Sequence, residues 1–327
     1  MLNQLDQLKK MTVVVSDSSD FDVVKAFTPT DATTNPTLVF QASQKPEYRP
    51  LIERAISESR RGATPEHRRS LLIDTLFVLF GVELLKIIPG RVSTEVEASL
   101  SFDTKASIQR AVQIINLYEQ YGIPRERVLI KLASTIEGIR AAEVLEMVGI
   151  HCNMTLIFSL VQAAACAEAH VTLVSPFVGR ILDWYTKQNP AVTYTSATDP
   201  GVTAVTAIYQ YFKKFGYTTS IMGASFRNKE EILALSGCDL LTVSPKFLDQ
   251  LSSSTDTVER RLFPEMAMPS DLQKISVAEH SFRFLLNQDQ MATEKLSEGI
   301  RIFAEDSNKL VEYIKQAKFS NESLLDI

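Results

Sequence analysis

RVLIKLAST, residues 127–135, is the stretch on which the reading of this chain turns. Val128, Leu129, Ile130, Leu132 and Ala133 are apolar at odd and even positions alike, as in a parallel strand covered on both faces. Lys131 stands in the middle of it. An ammonium buried there raises the free energy unless something compensates it, so the residue needs a reason. Residues i and i+2 of a strand share a face. Lys131 therefore lies with Leu129 and Ala133, while Val128, Ile130 and Leu132 point the other way.

Seven further short apolar segments flank this one, at 12–16, 30–34, 86–95, 151–157, 171–176, 218–224 and 239–244. Helical patterns separate them. In 104–120, for example, Ile108, Ala111, Val112, Ile115 and Tyr118 recur at the spacing of one buried helix face. Helices are also expected over 46–61 and 65–85, and a long one over 290–318. Eight strands alternating with helices predict a (β/α)8 TIM barrel with additional helices, including a helical C-terminal extension. The expected organisation is one domain over 1–327, with the barrel at about 10–255 and the extension at about 270–320. An open doubly wound sheet is the alternative. That fold usually carries a glycine-rich nucleotide turn, and the chain has neither GxGxxG nor GxxxxGK followed by Ser or Thr.

Composition narrows the partners. The net charge is −5 and no basic block occurs, which speaks against nucleic acid. The N-terminal MLNQLDQLKK lacks the apolar centre of a signal peptide. The longest apolar run, LFVLFGV at 76–82, is far short of the ~20 residues that span a bilayer. Three sparse cysteines, Cys152, Cys166 and Cys238, fit reduced thiols and a cytoplasmic location. The four histidines are scattered without ligand spacing, so no metal and no cofactor is expected.

The same parity rule brings polar residues to one face near the C-terminal ends of several strands: Asp17, Ser93 with Glu95, Lys131, Asn153 with Thr155, Ser175 with Phe177, and Ser225 with Arg227 if that strand stays extended. In barrels that end carries the chemistry. Each residue also has a plainer reading. Asp17 in SDSSD fits a turn or helix cap. Glu95 fits an ion pair with Arg91, and Arg180 one with Asp183 a helical turn later. Asn153 and Thr155 fit the satisfaction of buried backbone, and Lys131 fits a side chain snorkelling from a strand end. Convergence at one rim is what favours chemistry. A lysine amine kept neutral by apolar surroundings attacks carbonyls and forms a Schiff base. The iminium withdraws electrons, so the C3–C4 bond of a ketose breaks once a base takes the C4 hydroxyl proton. Asp17 and Glu95 are candidates for that base and for the acid–base work of dehydration. Arg180 and Arg227 are candidates for a phosphate at the far end of the sugar.

TDATTNP (30–36), GRVSTEVEASLSFD (90–103), RVLIKLAST (127–135), CNMTLIFS (152–159), SPFVGRILDW (175–184) and MGASFRN (222–228) together resemble the transaldolase family. The likeness runs in order from about residue 10 and includes NQDQMATEKLSEGIRIFAED at 287–306. It is closer to the longer type than to the short fructose-6-phosphate aldolase-like type. The resemblance implies a class I aldolase barrel. It also implies transfer of dihydroxyacetone from sedoheptulose 7-phosphate or fructose 6-phosphate to glyceraldehyde 3-phosphate or erythrose 4-phosphate, in the pentose phosphate pathway.

On that resemblance Lys131 matches the Schiff-base lysine and Asp17 the residue that handles the C4 hydroxyl proton. Glu95 and Thr155 match the pair that holds the catalytic water. Asn35 and Asn153 match side chains that bond the dihydroxyacetone hydroxyls, with Ser175 and Phe177 lining the same pocket. Arg180, Ser225 and Arg227 match the phosphate site. Departures such as AAAC at 163–166 and His151 touch none of these residues. A homodimer is the expected assembly. The competing activities are an aldolase releasing free dihydroxyacetone and a sugar-phosphate-binding barrel. Some relatives with the first activity carry Tyr where Phe177 stands, and the second needs no nucleophilic lysine.

Overall fold

The computed structural model describes residues 2–267 and 271–316. Eight parallel strands close into a barrel in sequence order. They are β1 (Val13–Asp17), β2 (Asp31–Thr33), β3 (Val92–Glu95), β4 (Val128–Ala133), β5 (Cys152–Ile157), β6 (Leu173–Pro176), β7 (Ser220–Gly223) and β8 (Leu240–Val243). The parity read from RVLIKLAST holds. Val128, Ile130 and Leu132 join the large core between barrel and helices. Leu129 instead packs inside the barrel with Val15, Leu173, Met222 and Leu240. This apolar layer fills the lower barrel and leaves the space above it to polar side chains.

Two of the boundaries that differ from expectation bear on the site. The third strand starts at Val92 rather than residue 86, because Lys86 caps the helix Pro65–Leu85 and Pro89–Gly90 turn the chain. A Cβ at Gly90 would stand 2.6 Å from the Thr30 carbonyl oxygen, so the turn passes too close for a side chain. β7 ends at Gly223, and Ser225 adopts φ 61°, so the segment through Arg227 does not stay extended. An unpredicted helix, Pro36–Ser43, begins directly after β2, with Asn35 as its cap and a proline in its first turn.

The C-terminal part forms two helices, Glu279–Gln288 and Gln290–Gln316. The expected ends at 318 and 320 lie outside the described residues. The last helix crosses the C-terminal rim of the barrel. Its Met291, Ala292, Leu296, Ile300 and Phe303 pack on Ala133, Leu156, Phe158, Phe177 and Ile181. Farther along, Leu310, Val311 and Ile314 join the cluster formed by helices Arg49–Ser59 and Pro65–Leu85. The strand ends are therefore roofed, and the roof comes from the last helix of the described residues. No helix of the described residues is long and apolar enough to cross a membrane.

Candidate active site

Strand register builds the site. Glu95 of β3 pairs with Lys131 of β4, which pairs with Asn153 of β5, while Ala133 pairs with Thr155. Side chains at paired positions of parallel strands share a face, so Glu95, Lys131 and Asn153 form a row inside the barrel. Lys131 Nζ lies 3.0 Å from Glu95 Oε2 and donates to the Thr34 carbonyl at 3.2 Å. Glu95 therefore pairs with Lys131. Arg91 turns to Asp31 instead, at 3.7 Å. Burial raises the pKa of Glu95 against the lowering influence of Lys131. Asp17, at the end of β1, accepts a hydrogen bond from Thr33 Oγ1 at 3.1 Å, and Thr33 meets Thr242 Oγ1 at 2.9 Å. Burial raises its pKa too, opposed by Lys131, Thr33 and Arg180.

Asp17, Asn35, Lys131, Thr155, Ser175, Phe177, Arg180 and Ser225 all line one small cavity of about 70 Å³, together with Thr33, Met222, Thr242 and Phe303. Asn35 Oδ1 caps the following helix by accepting from Leu38 N at 3.0 Å, which leaves its amide nitrogen for the cavity. Thr155 Oγ1 is a buried polar atom with no hydrogen bond from the described residues, whereas Glu95 Oε2 has the Lys131 ammonium beside it. A buried hydroxyl of this kind is what a small polar guest satisfies. A larger groove of about 790 Å³ opens elsewhere, lined by Thr206, Gln210, Glu230 and Arg261, and holds none of these residues.

Three predicted residues do not line the cavity: Asn153, Arg227 and Glu95, the last of which is paired with Lys131. Asn153 is fully buried; its amide donates to Ser93 Oγ at 3.0 Å and its carbonyl accepts from Ser175 Oγ. Arg227 does not line the cavity, and its Nη2 is bound to Asp183 Oδ2 at 2.6 Å. Asp183 thus pairs with Arg227, not with Arg180. Arg180 lies over the rings of Phe177 and Phe303, 5.0 and 5.3 Å from their centroids. Burial, and next the nearby charge of Arg227, lower its pKa. The loop carrying Ser225 and Arg227 is held against helix Val178–Gln188 by Val178 N and Gly179 N, which donate to Ala224 O and Ser225 O at 2.8 Å. A Cβ at Gly179 would stand 2.4 Å from that same Ser225 oxygen.

Beside Thr155 the backbone is strained. Leu156 has φ 56°, in a register irregularity of β5 between Met154 and Ile157. Buried Gln162 satisfies it: its Nε2 donates to Leu156 O and Ser134 O at 3.0 Å, and its Oε1 accepts from Phe158 N at 3.0 Å. Sequence reasoning missed Gln162, Thr33, Thr242 and Phe303. Thr33 shares strand parity with Asn35 and was accessible that way. Phe303 carries no local signal, because a roof residue and a core residue read alike in an amphipathic helix.

The fold and site together define a class: an α/β barrel whose polar interior centres on a lysine amine buried between carboxylates. The comparisons make the class specific. The family model described as Transaldolase/Fructose-6-phosphate aldolase matches residues 14–314, and the chain belongs to that family. It is 56% identical over 313 residues to a "Transaldolase" of Protochlamydia amoebophila (strain UWE25), covering 96% of this chain and 97% of that one. It is 53% identical over 317 residues to a "Probable transaldolase" of Drosophila melanogaster, covering 96% of each.

Proposed function

We propose that the protein is a transaldolase that moves a dihydroxyacetone unit between sugar phosphates through a Schiff base on Lys131. The observation that carries this reading is the position of Lys131 Nζ, on the wall of the same cavity as Asp17 and Arg180 and 3.0 Å from Glu95. Glu95, its pKa raised by burial, accepts the ammonium proton. The free amine attacks C2 of the ketose, and the carbinolamine loses water to give the iminium. Thr155 Oγ1 and Glu95 Oε2 hold that water. Asp17 takes the C4 hydroxyl proton, the C3–C4 bond breaks, and the aldose leaves. The remaining three-carbon enamine then attacks the aldehyde of the acceptor in the reverse sense. Asn35 binds the dihydroxyacetone hydroxyls with Ser175, which Asn153 orients, while Arg180, Ser225 and Arg227 take the phosphate.

Phe177 supports transfer over release. It presents an apolar ring, stacked edge-on to Phe158 at 5.7 Å, where a hydroxyl would orient water at the covalent intermediate. Donors and acceptors are the sugar phosphates of the non-oxidative pentose phosphate pathway. The buried, unbridged cysteines support a cytoplasmic setting. Family likeness supports a homodimer; a single species of one-chain mass in sedimentation equilibrium removes it.

The test is reduction with borohydride in the presence of fructose 6-phosphate, followed by peptide mapping. The expected product is a three-carbon adduct on Lys131, discharged when erythrose 4-phosphate is added before the reductant. No adduct on Lys131 refutes the reading. Discharge to free dihydroxyacetone without acceptor makes the protein an aldolase.

A further inference from the structure

Behind the loop that carries Ser225 and Arg227 lies a carboxyl pair that the reaction itself does not use. Glu231, on the short helix Lys229–Ala234, is fully buried and accepts from Arg227 N at 2.6 Å through Oε2. Its other oxygen, Oε1, is buried without a hydrogen bond from the described residues. Glu231 bears on Asp199, itself 2% exposed, which caps helix Pro200–Phe215 by accepting from Gly201 N at 2.7 Å and Val202 N at 3.1 Å. The same helix start backs onto the site, since a Cβ at Gly201 would stand 2.1 Å from the Val178 carbonyl oxygen. Val178 and Gly179 in turn hold Ala224 and Ser225. One chain of backbone contacts therefore runs from the Asp199 cap to the loop behind Arg227, and Glu231 closes it into a ring.

Resting on the reading above, we propose that the Glu231–Asp199 pair is a positioning device for the phosphate end of the substrate. It fixes the backbone of Arg227 so that Arg227 and Ser225 face Arg180. Two buried carboxylates in contact repel, and a proton on Glu231 Oε1 turns that contact into a hydrogen bond to Asp199. The proton belongs on Glu231, because Asp199 sits at the positive end of a helix and accepts two amides. The groups acting on Glu231 are the Asp199 carboxylate, from helix Pro200–Phe215, and the amides of Arg227 and Asn228 in its own loop. The Arg227 guanidinium is turned away to Asp183, on helix Val178–Gln188. Burial first, then Asp199, pushes the Glu231 carboxyl up to about 7. Above that pH the pair becomes two anions, the ring loosens, and the loop loses its register with Arg180.

The experiment compares wild type, Glu231→Ala and Glu231→Gln in steady-state transfer. Fructose 6-phosphate is the donor, and erythrose 4-phosphate is set against unphosphorylated glyceraldehyde as acceptor. In Glu231→Ala the KM for fructose 6-phosphate is expected to rise about tenfold with kcat within about threefold, and the KM for glyceraldehyde within about twofold. Glutamine copies the protonated acid: its carbonyl accepts from Arg227 N and its amide donates to Asp199. Glu231→Gln should therefore keep the wild-type KM at about pH 6 and hold it at about pH 8.5, where the wild-type KM rises. The phosphate's own ionisation acts in the opposite direction and is common to both proteins. A merely structural role would lower the melting temperature of Glu231→Ala without moving KM, and that result overturns the proposal. If Glu231→Ala does not fold, parallel KM–pH profiles for wild type and Glu231→Gln overturn it instead. A wild type that gives no borohydride adduct sinks the enzymatic reading, whereas an active wild type with an unchanged mutant KM sinks only the positioning role.

Discussion

Glu95 Oε2 and Lys131 Nζ face each other at 3.0 Å from paired positions of β3 and β4, with 3% and 6% of their side chains exposed. Removing both charges from water costs several kcal/mol per ion, which the attraction between them offsets only in part. The barrel spends stability at this point and receives a proton relay in return. In the proposed reaction the two groups exchange a proton without waiting for solvent, which is what forming and discharging an iminium requires.

Replacing Lys131 separates chemistry from folding. Lys131→Met should give no borohydride adduct and lose transfer by at least about a thousandfold. Glu95 then loses its ion-pair partner, with only the more distant Arg180 charge left, and its raised pKa goes higher. A raised carboxyl contributes stability at low pH that is lost as pH climbs through the folded value. The melting temperature of Lys131→Met should thus approach wild type in acid and fall behind it as pH rises. Equal deficits at all pH values would show that Glu95 does not take up the proton.

In the proposed reaction transfer needs ionised Asp17, and burial raises that carboxyl's pKa. The acid limb of kcat should therefore lie above the value of about 4 expected of a free carboxyl. Asp17→Asn should lose C3–C4 cleavage by about 10²- to 10⁴-fold. The variant should still form the trapped iminium on Lys131 with fructose 6-phosphate, now as a six-carbon adduct. A three-carbon adduct in Asp17→Asn would place the base elsewhere.

Thr33 donates to Asp17 and so favours its ionised form. Thr33→Val removes that bond, raises the Asp17 pKa further, and should move the acid limb to higher pH. A pH–rate profile that superimposes on wild type would show the contact to be idle.

The phosphate end depends on a close backbone approach. Gly179→Ala would force a methyl to within 2.4 Å of Ser225 O, so the loop must shift. Its KM for fructose 6-phosphate should rise at least about tenfold, with about 1–3 kcal/mol lost in denaturant melts. Arg227→Ala should also raise KM rather than lower kcat. An unchanged KM in Arg227→Ala would leave that guanidinium to its Asp183 pair alone.

Much of this site was legible because strand parity is a rigid rule. Once 127–135 was a strand, the barrel-facing side of Lys131 followed, and Asp17, Glu95 and Thr155 fell into place by the same count. What escaped depended on departures from regularity. Arg227 is carried by a loop whose direction is set at Ser225 by a left-handed φ that no periodicity announces. The plainer pairings of Glu95 with Arg91 and of Arg180 with Asp183 failed for a related reason. Sequence neighbours compete with partners brought by register, and here Lys131 and Arg227 stand closer. The early start assigned to β3 came from Ile87 and Ile88. These are apolar because they pack into the core between barrel and helices in the turn after a helix, not because they extend a strand.

Phe303 stands over Lys131, its ring centroid 5.6 Å from Nζ, and it arrives on the last helix of the described chain. During synthesis the barrel strands leave the ribosome first and begin to fold while the tail is still being made. The lysine, both carboxylates and the arginines are then in place beneath an open mouth. A nascent or prematurely terminated chain therefore carries the reactive amine without the ring that walls it in. Docking of this late helix, more than closure of the barrel, is the step that walls in the Lys131 amine.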